Sequence, residues 1–168
     1  IHELKDAQQQ REIAKDFMRQ LAQVHGLSVG GLDLPELPRP DSAEEYALAG
    51  IDELERSYAS SVTIPDPLAL LTFQWLRRNI PAPPTRPALL QGDTGPGNFV
   101  FVDDRVSAIL DWEQAHIGDP MEDLGHLYSR AFFHPWGEMP ELIEVYTGST
   151  NESLDKSKLH FYRVASFA

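Results

Sequence analysis

The chain has no cysteine, which excludes a disulfide framework and every form of thiolate chemistry, nucleophilic or metal-binding. No apolar run approaches the roughly 18 residues that a membrane-spanning helix needs. The opening residues, IHELKDAQQQREIAKDF, carry no apolar segment behind a basic start, so no secretory signal is legible. Basic residues are scarce: 14 Lys and Arg face 26 Asp and Glu, for a formal net charge of −12. A field of that sign repels nucleic-acid phosphates and anionic membranes, so neither is an expected partner, and it suits a cationic small molecule better. The G-x-x-x-x-G-K-[ST] phosphate loop is missing as well. His126 and His134 have no second His or Cys at ligand spacing, which argues against zinc. These absences fit a cytoplasmic protein.

What is present suits a folded domain. The 168 residues are 42% hydrophobic and 24% charged, enough for one domain with a sizeable core or one lobe of a larger protein. The most informative stretch is LLQGDTGPGNFVFVDDRVSAILDWEQAHIGDPMEDL, beginning at Leu89. A polar loop holds Asp93 and Asn98. Two short apolar strands follow, joined by Asp103, Asp104 and Arg105, and the second ends on Asp111. Such a hairpin brings its ends together, so Asn98 and Asp111 are expected side by side, with Asp93 on the feeding loop. Two carboxylates and a carboxamide oxygen make a hard, oxygen-only site of the kind Mg²⁺ shares with phosphates and water. A carboxylate that does not bind the metal can take the proton of a hydroxyl attacking phosphorus. Taken alone, D-x-x-x-x-N is ordinary turn punctuation. Its placement around an apolar hairpin, in the order of a kinase catalytic loop and metal-binding Asp, is what favours the chemical reading.

On these residues the chain resembles the aminoglycoside phosphotransferase / choline kinase-like family. The likeness rests on Gln91-Gly92-Asp93-x4-Asn98, Leu110-Asp111-Trp112-Glu113 and Gly118-Asp119-Pro120-x2-Asp123-Leu124. The last two strings look most like bacterial phosphotransferases related to the kinase domain of acyl-CoA-dehydrogenase-associated proteins. The resemblance implies an α+β fold: the mainly helical C-terminal lobe of a protein-kinase-like fold, with a short β-hairpin carrying the catalytic and metal-binding loops. It implies Asp93 as catalytic base, Asn98 and Asp111 as ligands of Mg²⁺ and through it of ATP, and Asp123 as a buttress of the loop. The expected acceptor is a small-molecule hydroxyl. Gln91 stands where the family usually has His, a residue that supports the loop, so its geometry is the point in question. Glu113 is read either as a salt-bridged buttress or as a residue near the metal.

The remaining elements are mostly helical. Residues 1–26 carry Ile13, Phe17 and Leu21 at helical spacing, with Gly26 as a stop; His25 ends the stripe as a hydrogen-bonded structural residue. Asp41 or Ser42 caps a second helix running to about Tyr58, with Tyr46, Ala47, Ile51 and Leu54 inward and an acidic, solvated face. Asp66-Pro67 opens a third helix, apolar around much of its circumference and therefore expected to be buried on more than one side. Trp75 is read as core and Trp112 as packing. Helices are expected from Asp119-Pro120 through Phe132, over about 138–147, and from Glu152 to the end. A kinase also needs a Gly-rich loop and a strand Lys over the phosphates, and neither string occurs. Residues 1–168 are thus expected to be the C-terminal lobe alone. Two rivals stay open: a pseudokinase or binding module, and a metal-assisted phosphohydrolase.

Overall fold

The computed structural model describes residues 6–35, 37, 40, 45–150 and 153–168, with backbone alone at Tyr46 and Ala49. The expected cap at Asp41 or Ser42, Glu44 and the Asn151-Glu152 helix start lie outside the described residues, as does the Tyr46 side chain.

Helix α1 (Ala7–His25) begins where the Asp6 carboxylate accepts from the N–H of Gln8, a cap that contributes about 1 kcal/mol. It ends at Gly26 as expected. Its stripe of Ile13, Phe17, Met18 and Leu21 is buried and forms the spine of the core. Phe17 meets Phe99 at 4.8 Å between ring centroids and Trp136 at 5.4 Å. Burying each such ring contributes roughly 1.5–3 kcal/mol. A short 3-10 turn (Val29–Gly31) starts the Pro/Gly segment that follows.

Helix α2 (Glu45–Ser61) extends three residues beyond Tyr58, with Ala47 and Ile51 inward. Its acidic face is exposed but not wholly solvated, since Asp52 and Glu55 both pair with Arg77 at 2.6 and 2.7 Å. That links α2 to α3 (Pro67–Arg78), whose Pro67 follows the capping Asp66. The expectation that α3 is buried on several sides fails: Leu68 and Leu71 are 70% and 61% exposed. Ala69, Phe73, Trp75 and Leu76 are the hydrophobic residues of α3 that face the core, so α3 is a flank rather than a central strut. Trp75 is half-buried, stacked on Phe161 at 6.2 Å.

Four short strands carry the loops of interest. Strand β1 (Ala88–Leu90) pairs antiparallel with β4 (His116–Gly118), and β2 (Phe99–Val102) with β3 (Arg105–Ile109). The second pair is the expected hairpin. Its turn residues Asp103 and Asp104 both take positive φ, 48° and 64°, the signature of a tight turn matched to strand twist. The buried Asp16 of α1 accepts from the Val106 N–H at 2.9 Å, which pins the hairpin to the spine.

Helix α4 (Pro120–Phe133) follows, capped by Asp119, which accepts from the Met121 N–H at 3.0 Å and pairs with Lys158 at 2.7 Å. Helix α5 (Met139–Ser149) packs on α1, and α6 (Lys156–Ala165) on α4. The last helix starts later than expected because Asp155 caps it, accepting from Ser157 and Lys158 N–H groups. No described helix is long and apolar enough to cross a membrane.

Candidate active site

The loop between β1 and β2, Gln91 to Asn98, has no apolar side chain larger than proline. Hydrophobic burial therefore cannot hold it, and hydrogen bonds do. Gln91 is completely buried. Its Nε2 donates to the carbonyls of Leu110 (3.0 Å) and Asp111 (2.6 Å), and its Oε1 accepts from the Asp93 N–H (2.9 Å). One carboxamide fastens the start of the loop to the far end of the hairpin, so the loop geometry that Gln91 put in question is well supported.

Asp123 rises into the same loop from the first turn of α4, fully buried. Its carboxylate accepts from the N–H groups of Gln91 (2.9 Å) and Gly92 (3.0 Å) and meets His25 Nε2 at 3.0 Å. Thr94 Oγ1 donates to its carbonyl at 2.8 Å. Burial pushes the Asp123 carboxyl up, but His25 and the two backbone donors outweigh it and hold the group below its ordinary value. His25 Nδ1 lies 2.7 Å from the Tyr146 hydroxyl, so this histidine is the buried structural residue the sequence suggested.

Asp93 projects from the loop, half-buried. Its Oδ2 accepts from Asn98 Nδ2 at 2.7 Å, its Oδ1 accepts from Arg130, and His126 Nε2 stands 3.1 Å away. Burial alone raises this carboxyl, and the Arg130 and Asn98 hydrogen bonds with the Arg130 charge more than reverse it, leaving it below the usual value. Asn98 Nδ2 also donates to the Asp93 carbonyl at 2.7 Å. Both bonds use the amide nitrogen, and no described residue donates to the amide oxygen.

Across the hairpin, the Leu110 N–H donates to the Asn98 carbonyl at 2.7 Å, so Asn98 faces Leu110 and is adjacent to Asp111. Asp111 is exposed, and among the described residues its carboxylate has neither a hydrogen bond nor an ion pair. Its φ is 60°, a left-handed conformation costing on the order of 1 kcal/mol even for an Asp. Such outliers cluster at ligand sites. Gly92 closes the two loops on each other: at φ 86° its position leaves no space for a Cβ, which would sit 2.5 Å from the Gln114 carbonyl.

Two oxygen donors, the Asn98 amide oxygen and the Asp111 carboxylate, thus stand at one end of the hairpin. No group of three or more His, Cys, Asp or Glu among the described residues is arranged to hold a metal. A partial, oxygen-only set of this kind fits Mg²⁺ completed by phosphate and water, and does not fit a closed protein cage. Glu113 is exposed and has no ion pair among the described residues, so the salt-bridged reading of it is not supported. Trp112 is 37% exposed, more open than a packing role suggests, with its Nε1 donating to the Ile109 carbonyl at 2.9 Å.

The model of the phosphotransferase enzyme family matches residues 2–155. The chain belongs to that family. Acyl-CoA dehydrogenase family member 11 of Homo sapiens is 28% identical over 136 residues, covering 80% of this chain and 17% of that protein. A solved Ralstonia eutropha protein, proposed to be an aminoglycoside phosphotransferase, superposes with a TM-score of 0.80 at 21% identity, over 98% of this chain and 56% of its own. A thermostable mutant of aminoglycoside phosphotransferase APH(4)-Ia, solved as a ternary complex with ADP and hygromycin B, superposes with a TM-score of 0.72 at 11% identity, over 96% and 57%. At such identities the likeness establishes the fold, that of kinase-like phosphotransferases. The chain spans about half the length of these structures and 17% of the human relative.

In this family member the sequence reading missed Arg130 and His126, which both reach Asp93. The signal was present in the spacing. Asp123, His126 and Arg130 recur at three- and four-residue intervals along α4, one helical face, with Asp123 already assigned to the loop.

Proposed function

We propose that this chain is the acceptor- and metal-binding lobe of an ATP-dependent small-molecule kinase whose nucleotide lobe lies in a preceding part of a longer protein. The observation that supports the reading is the Asp93–Asn98 hydrogen bond at the entry of a hairpin whose exit, backbone-bonded to Asn98 at Leu110, leads into Asp111, with Asp93 paired to protein groups and the Asp111 carboxylate engaged by no described residue. A Mg²⁺ ion held by the Asn98 amide oxygen and Asp111 would offset charge on the nucleotide phosphates. Asp93, kept ionised by Arg130 and Asn98, orients the acceptor hydroxyl and takes its proton as the oxygen bonds to the γ-phosphorus. The bond from that phosphorus to the β-phosphate oxygen breaks, and ADP leaves. The ADP and hygromycin B bound to the APH(4)-Ia neighbour are consistent with a nucleotide and a small polyhydroxyl partner. Gln91 in place of His does not by itself argue for a binding module without activity, because it holds the loop through three hydrogen bonds.

The test is ADP release by the full-length protein across amino sugars, amino alcohols, sugars and hydroxyacyl thioesters. Turnover that requires an acceptor and falls by about 10²–10⁴ in Asp93→Ala supports the reading. ADP formation that is the same without any acceptor supports the phosphohydrolase instead.

A further inference from the structure

Arg130 lies on α4 with its side chain passing beneath the Asp93–Asn98 loop. Its Nη2 donates to Asp93 Oδ1, its Nη1 donates to the Pro96 carbonyl at 3.1 Å, and its Nε lies 3.5 Å from His126 Nε2. The guanidinium fork therefore contacts the loop at both a side chain and the backbone, through two nitrogens fixed in one plane. The aliphatic stem serves as the packing floor. A Cβ at Gly95 would sit 2.8 Å from Arg130 Cδ, and Gly95 takes φ 144°, so the loop lies on the stem as closely as glycine permits. The side chains of Arg130 and Asp93 are 27% and 21% exposed, so the pair is partly buried. An exposed ion pair contributes little. This one is shielded, bidentate across the loop and packed.

From this geometry we infer that Arg130 is a positioning residue: it is the support on which the loop rests and the clamp that turns the Asp93 carboxylate toward Asn98. Its role in turnover rests on the phosphotransferase reading above, whereas its hold on the loop does not. A loop without apolar side chains needs an internal support, and here a cationic side chain serves as one. Near-attack geometry is sensitive to displacements of about 1 Å, which cost on the order of 10²-fold in rate. Loss of the clamp should therefore act mainly on the chemical step.

The experiment compares full-length wild type, Arg130→Met and Arg130→Lys. Hydrogen exchange should quicken by about tenfold or more at the amides of residues 93–95, 97 and 98 in Arg130→Met, while the α1 amides around Phe17 and Leu21 stay unchanged. Arg130→Lys should restore part of the protection. With the best acceptor of the panel above, kcat should fall by about tenfold or more in Arg130→Met, while KM for Mg-ATP changes by less than about twofold. Unchanged loop exchange, exchange that quickens equally in α1, or an unchanged kcat overturns the inference. If the wild type releases no ADP with any acceptor, the phosphotransferase reading has failed, and the exchange pattern still decides whether Arg130 holds the loop.

Discussion

On the entry side of the hairpin, residues 91–98 are held by side chains from two helices, α1 and α4: His25 and Asp123 brace one end, Arg130 the other, and Gln91 ties the loop to its neighbour. On the exit side, residues 111–115 are exposed or half-exposed, and Asp111 combines a left-handed backbone with a carboxylate that no described residue engages. The two sides each carry an Asp and treat it differently. The entry loop is fixed by the protein, as the proposed general base would require. The exit loop keeps its acceptor unpaired, as the proposed metal ligand would require.

The largest expected effect breaks the entry side. Asp123→Ala strands two backbone donors and His25 in a dry interior and should cost about 3–5 kcal/mol, read by urea unfolding of the full-length protein with tryptophan fluorescence. Asp111→Ala should stay within about 0.5 kcal/mol of wild type in the same assay. Equal losses at the two positions would abolish the contrast. Gln91→Ala, which removes three hydrogen bonds at a fully buried site, is expected to cost about 2–4 kcal/mol. A loss below 0.5 kcal/mol would mean that Gln91 does not join the loops. Gly92→Ala sharpens the contact between them: with φ at 86° and the Gln114 carbonyl in the way, about 1–3 kcal/mol should be lost.

The exit side offers smaller effects. Asp111→Gly should stabilise by up to about 1 kcal/mol through relief of the left-handed backbone, even as it removes the proposed metal ligand. His116 in β4 sits 3.3 Å from Glu122. Burial lowers its pKa, but the Glu122 hydrogen bond and charge dominate and raise it to about 9. A raised histidine stabilises the fold fully below its unfolded pKa of about 6.5, and the contribution fades as pH rises through the folded value. The melting temperature of the wild type should therefore fall more between about pH 6.5 and 9.5 than that of His116→Gln. Parallel curves would remove this pair from the account.

Much of this contrast was legible in the sequence. The hairpin could be read because Asp103-Asp104 punctuates two apolar runs, and its closure alone put Asn98 beside Asp111. The Asp119-Pro120 cap fixed the start of α4 and hence the level at which Asp123 enters. The support under Asp93 was not legible, because an Arg and a His on a helix next to polar residues read as a solvated face until the loop is seen resting on them. The pairing of β1 with β4 escaped notice because three residues per strand are too few to show a period. Helix α3 misled for a different reason: periodicity counts apolar residues, and Leu68 and Leu71 have no neighbour to cover them among the described residues.

Isothermal titration of Mg-ATP into the full-length protein, its Asp93→Ala variant and its Asp111→Asn variant tests the division of labour most directly. The account predicts that wild type and Asp93→Ala bind with comparable affinity, while Asp111→Asn loses the Mg²⁺-dependent part of binding. Undiminished Mg²⁺-dependent binding in Asp111→Asn, or its loss in Asp93→Ala, would contradict it.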